Sequence, residues 1–252
     1  MSKLPEYHQS AINMFLKCPK QYEFRYVRGV VSPPRAALTL GGSVDVAFTT
    51  NFEQKISTKV DMPVDDVVDA FSTEFERRKP ETEWGEDKPD KQKDMGVQMV
   101  RVFQRDAAKN INPVEVQKPF RVEFADAGYA IGGTMDTVTE GHVIRDQKTS
   151  KTYYALDAVE REIQPAVYSF AYQAEKAVKP KFAFDVITKH KEPRYQEVTG
   201  QVGEVQIEQL FETINIMHSQ IQRGEFQYAP PGSWWCSPDW CAYWSQCKGK
   251  KK

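Results

Sequence analysis

The sequence predicts an α/β fold: a mixed, mostly antiparallel sheet flanked by helices. Residues 114–150 alternate polar and apolar side chains, with turn signals at Asp126-Ala127-Gly128 and Glu140-Gly141, which is typical of a three-stranded antiparallel meander. Segments of helical periodicity stand on both sides of this region. Because sheet and helix segments alternate closely, we expect a single domain over residues 1–252.

The stretch SAINMFLKCPKQYEFRYV near the N-terminus predicts two short helices. Its apolar and aromatic residues recur near helical spacing, and Pro19 interrupts the pattern directly after Cys18. Proline is tolerated at the start of a helix but not in its interior. Cys18 is therefore expected at the joint between the two helices.

Three further helices are predicted before the meander. The first begins at about Ser43, after the paired glycines of GGSVDVAF. Residues 63–79 and 92–110 carry apolar side chains at amphipathic helical spacing, and the charged stretch PETEWGEDKPD joins them. We interpret residues 53–110 as a helical insertion.

The second half of the chain predicts a helix, two strands and another helix. The first helix covers about 157–177, FAFDVITKH is the next strand, and YQEVTGQV is its hairpin partner. A helix at about 204–222 then leads into a cysteine-rich tail.

The composition gives no sign of a membrane protein or of a strongly charged one. There are 34 basic and 35 acidic residues, so the formal net charge is -1, and any nucleic acid must be met by a local patch. The sequence has no apolar run long enough for a signal peptide or a membrane span. We therefore expect a cytoplasmic protein with no membrane partner, whose four cysteines are metal ligands or free thiols rather than disulfides.

The strand VIRDQKTS places a carboxylate and an ammonium on one surface. Side chains two residues apart in a strand point to the same face, so Asp146 and Lys148 project together and Gln147 projects away. The shared face makes this pair a candidate site.

The length of the preceding hairpin loop decides whether Asp136 joins this pair. A two-residue turn would pair Asp136 with Arg145 and put it on the opposite face, whereas a three-residue loop, Thr139-Glu140-Gly141, would pair it with Ile144 and restore the shared face. Gly141 suits the left-handed position of that loop, so we predict the three-residue form.

Two carboxylates and a lysine at a strand end suit a hard divalent cation such as Mg²⁺, which prefers oxygen ligands. The chemistry such a site favours is hydrolysis of a phosphodiester by metal-activated water. The plainer interpretation is a surface hairpin with a salt bridge, and these three residues alone favour it.

Gln164 and Tyr168, four residues apart in QPAVY, share one helical face. They either reach this site or lie on a solvated face.

Taken together, these stretches resemble the PD-(D/E)XK nuclease superfamily, in particular its RecB-type branch, which includes the iron–sulfur nuclease of CRISPR adaptation and many phage exonucleases. The resemblance covers Ser10 to Cys247 and is carried by SAINMFLKCPKQYEFRYV, GGTMDTV, VIRDQKTS, QPAVY and the spaced terminal cysteines. It implies a restriction-endonuclease-like core and a metal-dependent DNA nuclease, with exonuclease action on single strands or DNA ends more expected than sequence-specific cutting. It also suggests a recombination or CRISPR-type protein partner.

The same resemblance implies a role for each site residue. Asp136 and Asp146 would hold Mg²⁺ or Mn²⁺, with the backbone carbonyl of Gln147 as a further ligand, and Lys148 would assist the attack of water. Gln164 and Tyr168 would place the substrate or the catalytic lysine.

The chain departs from the family pattern at two points. Asp45 stands where the family usually has a histidine; an aspartate can also bind a divalent cation, so we include it among the metal ligands. Gln117 stands where a glutamate is common, with Glu115 two residues earlier on the same strand face. The Asp45 substitution is the best support for the alternative function, a non-catalytic DNA-binding or interaction protein that retains the nuclease fold.

The four cysteines form a candidate metal-binding set. Cys236, Cys241 and Cys247 are spaced Cys-x4-Cys-x5-Cys, and Cys18 lies more than two hundred residues away. Four thiolates suit either a 4Fe–4S cluster or zinc, and the family resemblance favours the cluster. Its expected role is structural, because it would close a very long loop.

Overall fold

The computed structural model describes residues 4–248. Its helices are α1 (Gln9–Lys17), α2 (Pro19–Tyr22), α3 (Ala36–Thr58), α4 (Val64–Arg78), α5 (Pro89–Asp106), α6 (Ala158–Arg161), α7 (Ile163–Lys176), α8 (Glu204–Gln222) and α9 (Trp244–Lys248). Its strands are β1 (Glu6–His8), β2 (Pro113–Phe124), β3 (Tyr129–Thr139), β4 (Val143–Ser150), β5 (Lys181–Thr188) and β6 (Tyr195–Gly200). Among these described residues, no helix is both long and apolar enough to cross a membrane.

The chain divides into two compact units. The first contains the chain up to Ser32, Arg121–Gly132 and the chain from Glu208 onward; the second contains Pro33–Phe120 and Gly133–Ile207. That the whole chain acts as a single nuclease domain with an insertion at 53–110 stays a prediction.

The second unit contains the strand order β3-β4-β5-β6. The pairs β3–β4 and β5–β6 are antiparallel, and β4–β5 is parallel. In the first unit, β1 runs parallel to the start of β3. Strand β2 pairs with β3 through a connection of four residues, 125–128, which is long enough only for an antiparallel pair. The predicted mixed, mostly antiparallel sheet with flanking helices is confirmed.

Strand β5 shows why the sequence folds in this way. Every residue from Phe182 to Thr188 is buried, because β4 and β6 flank the two edges of the strand and helices α5, α6 and α7 pack against it. Its neighbour β4 carries the candidate site residues. The buried strand therefore gives the site a rigid support.

Helices α3, α4 and α5 pack together around a phenylalanine-rich core in the second unit. The core includes Phe48, Phe52, Phe71, Phe75 and Phe103, all fully buried, and the rings of Phe48 and Phe103 stack with centroids 3.9 Å apart. This packing holds α3 and α4 in fixed positions, and both helices carry residues of the site described below.

Two helix boundaries differ from those predicted. Helix α3 begins at Ala36 rather than near Ser43, because its glycines lie inside the helix and do not start it. The helix predicted over 157–177 breaks at Glu162, whose backbone is extended. Pro165 causes the break, since its ring would clash with the carbonyl of Arg161 in a continuous helix.

The β3–β4 hairpin has the predicted loop length, but the predicted loop residues are wrong. Thr139 pairs with Val143, so the three loop residues are Glu140-Gly141-His142 and not Thr139-Glu140-Gly141. His142 takes a left-handed conformation with φ of 60° beside Gly141, and its Nδ1 lies 2.8 Å from the Tyr172 hydroxyl. This contact stabilises a backbone position that sequence reasoning assigned to glycine alone.

Candidate active site

Asp146 is the buried centre of the site. Only 1% of its surface is exposed, and it lies on β4 on the same face as Lys148, whose Nζ is 2.6 Å from Asp146 Oδ2. Gln164 of α7 donates a hydrogen bond from Nε2 to Asp146 Oδ1. The carboxylate is thus held by an ammonium on one oxygen and by an amide on the other.

Asp136 and Asp45 complete a cluster of three carboxylates. Thr137 pairs with Arg145 and Val138 with Ile144, so the predicted pairing of Asp136 with Ile144 is wrong. Asp136, which precedes Thr137, falls opposite Asp146 on the shared face. Burial raises the pKa of Asp136 well above its ordinary value, and the charges of Asp146 and Asp45 raise it further. Burial and Asp146 together raise the pKa of Asp45 to about 6. The carboxylates therefore repel one another in a region of low polarity.

Lys148 is the cation of this cluster. Burial tends to lower its pKa, but the carboxylates of Asp146 and Asp136 outweigh burial and raise the pKa above its ordinary value. The side chain is therefore a protonated ammonium at neutral pH. It can neutralise negative charge or orient a water molecule, but it cannot accept a proton.

Helix α7 contributes Tyr168 beside Gln164. Tyr168 is buried, and its ring meets Phe120 edge to face at 5.5 Å. Its pKa is raised first by burial and then by Asp146 and Asp136, which places the hydroxyl near both carboxylates. The structure therefore brings together Asp45, Asp136, Asp146, Lys148, Gln164 and Tyr168.

The paired glycines explain how Asp45 reaches the cluster. A Cβ on Gly41 would lie 3.2 Å from Thr149 Oγ1 at the end of β4, so the absent side chain lets α3 pack closely on that strand. Asp45 follows Gly41 by one helical turn on the same face. Close packing at the glycine therefore carries the aspartate to Asp146.

The side chains of Gln147 and Glu115 contact residues outside the carboxylate cluster. The Gln147 side chain points to the other face of β4, where Nε2 is 3.4 Å from Asp185 Oδ2, so only its backbone could serve the site. Glu115 forms ion pairs with Lys118 and Lys176.

Sequence reasoning missed two residues near the cluster. Burial raises the pKa of Tyr154, with an opposing effect from Lys148 and a reinforcing one from Asp146. Arg78, at the end of α4, lowers the pKa of Asp45. Neither residue carries a local pattern, since Tyr154 lies in a loop and Arg78 lies in a helix remote in sequence.

The cluster has the chemistry of a divalent-cation site. Within residues 4–248, no group of three or more His, Cys, Asp or Glu side chains is arranged as ligands around one ion, and Lys148 lies where a cation would neutralise Asp146. Asp146 Oδ2 is nevertheless buried and makes no hydrogen bond of acceptable geometry to any described residue. A set of mutually repelling carboxylate oxygens fits a hard cation such as Mg²⁺ or Mn²⁺.

The four cysteines, all free thiols, converge separately in the first unit. Cys18, at the joint of α1 and α2, lines one small cavity together with Cys236, Cys241 and Cys247. Burial raises the pKa of Cys241, and the neighbouring thiols add to the effect. The cavity volume is about 10 Å³, close to the space of one water molecule. Four thiolates are the donor type of a thiophilic metal, although the thiols of the described residues are not arranged as ligands around one ion.

Comparisons with known proteins identify the family of the chain. A family model described as "PD-(D/E)XK nuclease superfamily" matches residues 8–248, while no curated protein matches the chain significantly. Among solved structures, a "Putative exonuclease" from Eubacterium rectale aligns with a TM-score of 0.66 at 17% identity, covering 97% of this chain and 89% of that one, which shows a shared fold. A second structure, SSO0001, aligns with a TM-score of 0.44 at 16% identity over 100% of this chain and 90% of its own, too low to bear on the fold. Because the family model spans nearly the whole described chain, the protein belongs to the PD-(D/E)XK nuclease superfamily.

Proposed function

We propose that the protein is a divalent-metal-dependent deoxyribonuclease that acts as an exonuclease on DNA ends or single strands. The observation that carries the proposal is the Asp136, Asp146 and Lys148 cluster, in which Lys148 Nζ lies 2.6 Å from Asp146 Oδ2. Nucleases of this superfamily generally use Mg²⁺ or Mn²⁺. The exonuclease assignment is supported by the name given to the E. rectale protein and by the RecB-type resemblance of Gln164 and Tyr168.

The chain's own residues divide the work of phosphodiester hydrolysis. Asp136, Asp146 and Asp45 would hold the cation, with the Gln147 carbonyl as a further ligand. When bound, the ion lowers the pKa of a coordinated water and offsets charge on the phosphoryl group. Lys148, which is protonated, stabilises negative charge that develops on the phosphate oxygens.

Helix α7 orients these groups. Gln164 donates to Asp146 Oδ1 and leaves Oδ2 to Lys148, while the Tyr168 hydroxyl stays protonated because its pKa is raised. It can therefore donate a hydrogen bond to a substrate phosphate or to a ligand carboxylate.

Cleavage assays on two variants test the proposal. Asp146→Asn and Lys148→Ala should each reduce cleavage of end-labelled single- and double-stranded DNA, with Mg²⁺ or Mn²⁺, by about 10²–10³-fold or more. Lys151→Ala removes an exposed lysine three residues further along and should cleave like the parent. The proposal fails if metal-replete protein leaves both substrates intact, or if the Asp146 and Lys148 variants cut normally. DNA binding that is insensitive to chelator, without products, would instead support the non-catalytic binding protein.

We further propose that Cys18, Cys236, Cys241 and Cys247 hold a structural 4Fe–4S cluster. Support comes from the convergence of the four thiols on one cavity and from the family resemblance. Zinc is the competing metal, because four thiolates also suit a tetrahedral zinc site. Iron, sulfide and zinc analysis of anaerobically purified protein decides between them: zinc without iron or sulfide refutes the cluster and leaves the nuclease proposal intact.

The biological setting follows from resemblance alone. A RecB-type protein of phage or CRISPR-related origin, located in the cytoplasm and working with a recombination or CRISPR-type partner, is the setting we propose. Co-purification of a partner protein from the native host is the observation that would support it.

A further inference from the structure

The guanidinium of Arg78 lies directly against the backbone of Gly42. A Cβ added to Gly42 would be 2.4 Å from Arg78 Nη1, 2.9 Å from Cζ and 3.3 Å from Nη2. Any other residue at this position would displace the guanidinium. Glycine weakens a helix interior relative to alanine, so the close approach of Arg78 is obtained at a cost to α3.

Hydrogen bonds hold Arg78 in this position. Its Nε donates to Glu74 Oε1 at 2.5 Å, and its carbonyl accepts a bond of 2.9 Å from the Thr82 hydroxyl. The Thr82 hydroxyl in turn lies 2.6 Å from the hydroxyl of Thr39 on α3. The end of α4 is thus tied to α3 next to Gly42.

The outer end of the Arg78 guanidinium is unused. Within residues 4–248, Nη1 and Nη2 donate no hydrogen bond, and 32% of the side chain is exposed. Glu74 is fully ionised, because hydrogen bonds from Arg77 and Arg78 lower its pKa to about 2, but one carboxylate neutralises only one of these two arginines. Glu74, Arg77 and Arg78 together therefore keep a net positive charge, and Arg78 keeps two free donor nitrogens.

The Arg78 guanidinium lies near Asp45 of the carboxylate cluster. Asp45 lies three residues after Gly42 on the same face of α3. Arg78 also lowers the pKa of Asp45, which requires the two charges to be near each other. An anion approaching the three carboxylates would meet the guanidinium at the edge of the cluster.

We propose that Arg78 binds a phosphate of the DNA strand held at the Asp45, Asp136 and Asp146 cluster. The inference rests on the proposed nuclease function and assigns a substrate-binding residue to the helical insertion. A guanidinium with two free Nη groups matches the bidentate geometry of a phosphate. Its charge also offsets the repulsion between the acidic cluster and the DNA backbone.

Equilibrium binding in an Asp146→Asn background tests this without relying on cleavage. A fluorescein-labelled single-stranded oligonucleotide is titrated at several KCl concentrations. Losing one phosphate contact should weaken binding about 5–10-fold at moderate salt and reduce the slope of log K against log[salt] by about 0.7. Arg78→Ala and Gly42→Ala should each weaken binding and reduce the slope. Gly42→Ala does so by displacing the guanidinium, while the charge of Arg78 is kept. Arg78→Lys should lose less affinity than Arg78→Ala.

Arg77→Ala is the matched control. Arg77 also pairs with Glu74 and carries the same charge, but it is 67% exposed and does not cover Gly42. It should bind DNA with the parental slope. Equal slopes for the Arg77 and Arg78 variants would overturn the inference, as would a parental slope for a folded Gly42→Ala variant.

The outcomes keep the two proposals separate. If wild-type protein fails to cleave DNA but the salt slope depends on Arg78, the nuclease proposal fails and the phosphate site stands. If wild-type protein cleaves DNA and the salt slope does not depend on Arg78, the nuclease proposal stands and the phosphate site at Arg78 fails. Melting curves identify any variant that does not fold, and the Arg78→Lys and Gly42→Ala results then decide the matter.

Discussion

Replacing Asp45 with asparagine probes the electrostatics of the carboxylate cluster. Burial and the neighbouring Asp146 raise the pKa of Asp45 from 3.8 to about 6, a difference that corresponds to about 3 kcal/mol. Because the folded pKa is above the unfolded one, the folded protein binds more protons between these values. The associated stability is fully present below pH 3.8 and is lost as the pH rises through about 6.

The Asp45→Asn variant does not lose stability as the pH rises, because its side chain does not ionise. In metal-free protein at about pH 7.5, Asp45→Asn should increase the free energy of unfolding by about 1–3 kcal/mol. The lower part of that range allows for solvent around a half-buried side chain. Near pH 4 the variant and the parent should differ by less than about 0.5 kcal/mol, since Asp45 is then largely neutral.

Urea denaturation followed by circular dichroism, in buffers containing EDTA, measures both free energies. Asp69→Asn is the control, because Asp69 is an exposed aspartate of α4 and its replacement should change little at either pH. Added Mg²⁺ should then stabilise the parent more than the Asp45 variant, since binding to the folded state raises its stability. An unchanged or reduced stability of metal-free Asp45→Asn at neutral pH would refute the reasoning, as would a gain of equal size at both pH values.

Three further predictions concern the packing and charges around the site. Gly96→Ala should lower the free energy of unfolding by about 1–3 kcal/mol in urea, because the new Cβ would lie 2.0 Å from Phe71 Cζ; an unchanged midpoint would contradict this. Asp185→Ala should cost about 1–3 kcal/mol in the same assay, since it removes the carboxylate that accepts from Arg145 Nε and Nη2, while Glu197 still pairs with Nη2. Burial lowers the pKa of His218, so the stability that neutral His218 contributes is present above about pH 6.5 and is lost at lower pH. The melting temperature should therefore fall more steeply on acidification for the parent than for His218→Gln. Parallel curves of melting temperature against pH would exclude this role.

Several features of the site follow from local rules. Asp146 and Lys148 share a face because strand side chains alternate, and Gln164 and Tyr168 share a face because helical residues four apart are neighbours. The odd length of the hairpin loop, which decides the face of Asp136, also follows from turn chemistry. Each of these relations involves residues close in sequence.

Other features depend on contacts between distant segments. The position of the hairpin loop depends on a contact between His142 and Tyr172, and the start of α3 depends on packing that tolerates glycines inside the helix. The approach of Arg78 to Gly42 spans 36 residues of sequence and has no local pattern. None of these could be read from periodicity, since periodicity reports only which face of an element is buried.

The sequence by itself determined the α/β class and most of the element order, because backbone sterics and the burial of apolar side chains impose periods of 2 and 3.6 on strands and helices. The candidate residues came from these periods together with the family resemblance. Only the tertiary structure decided that Asp45 meets Asp136 and Asp146, that Lys148 stays charged beside them, and that Arg78 lies at their edge. The physical reason is that pKa values and cation sites depend on distances and burial between segments, which are set by the packing of α3 and α4 on the sheet and not by any single segment.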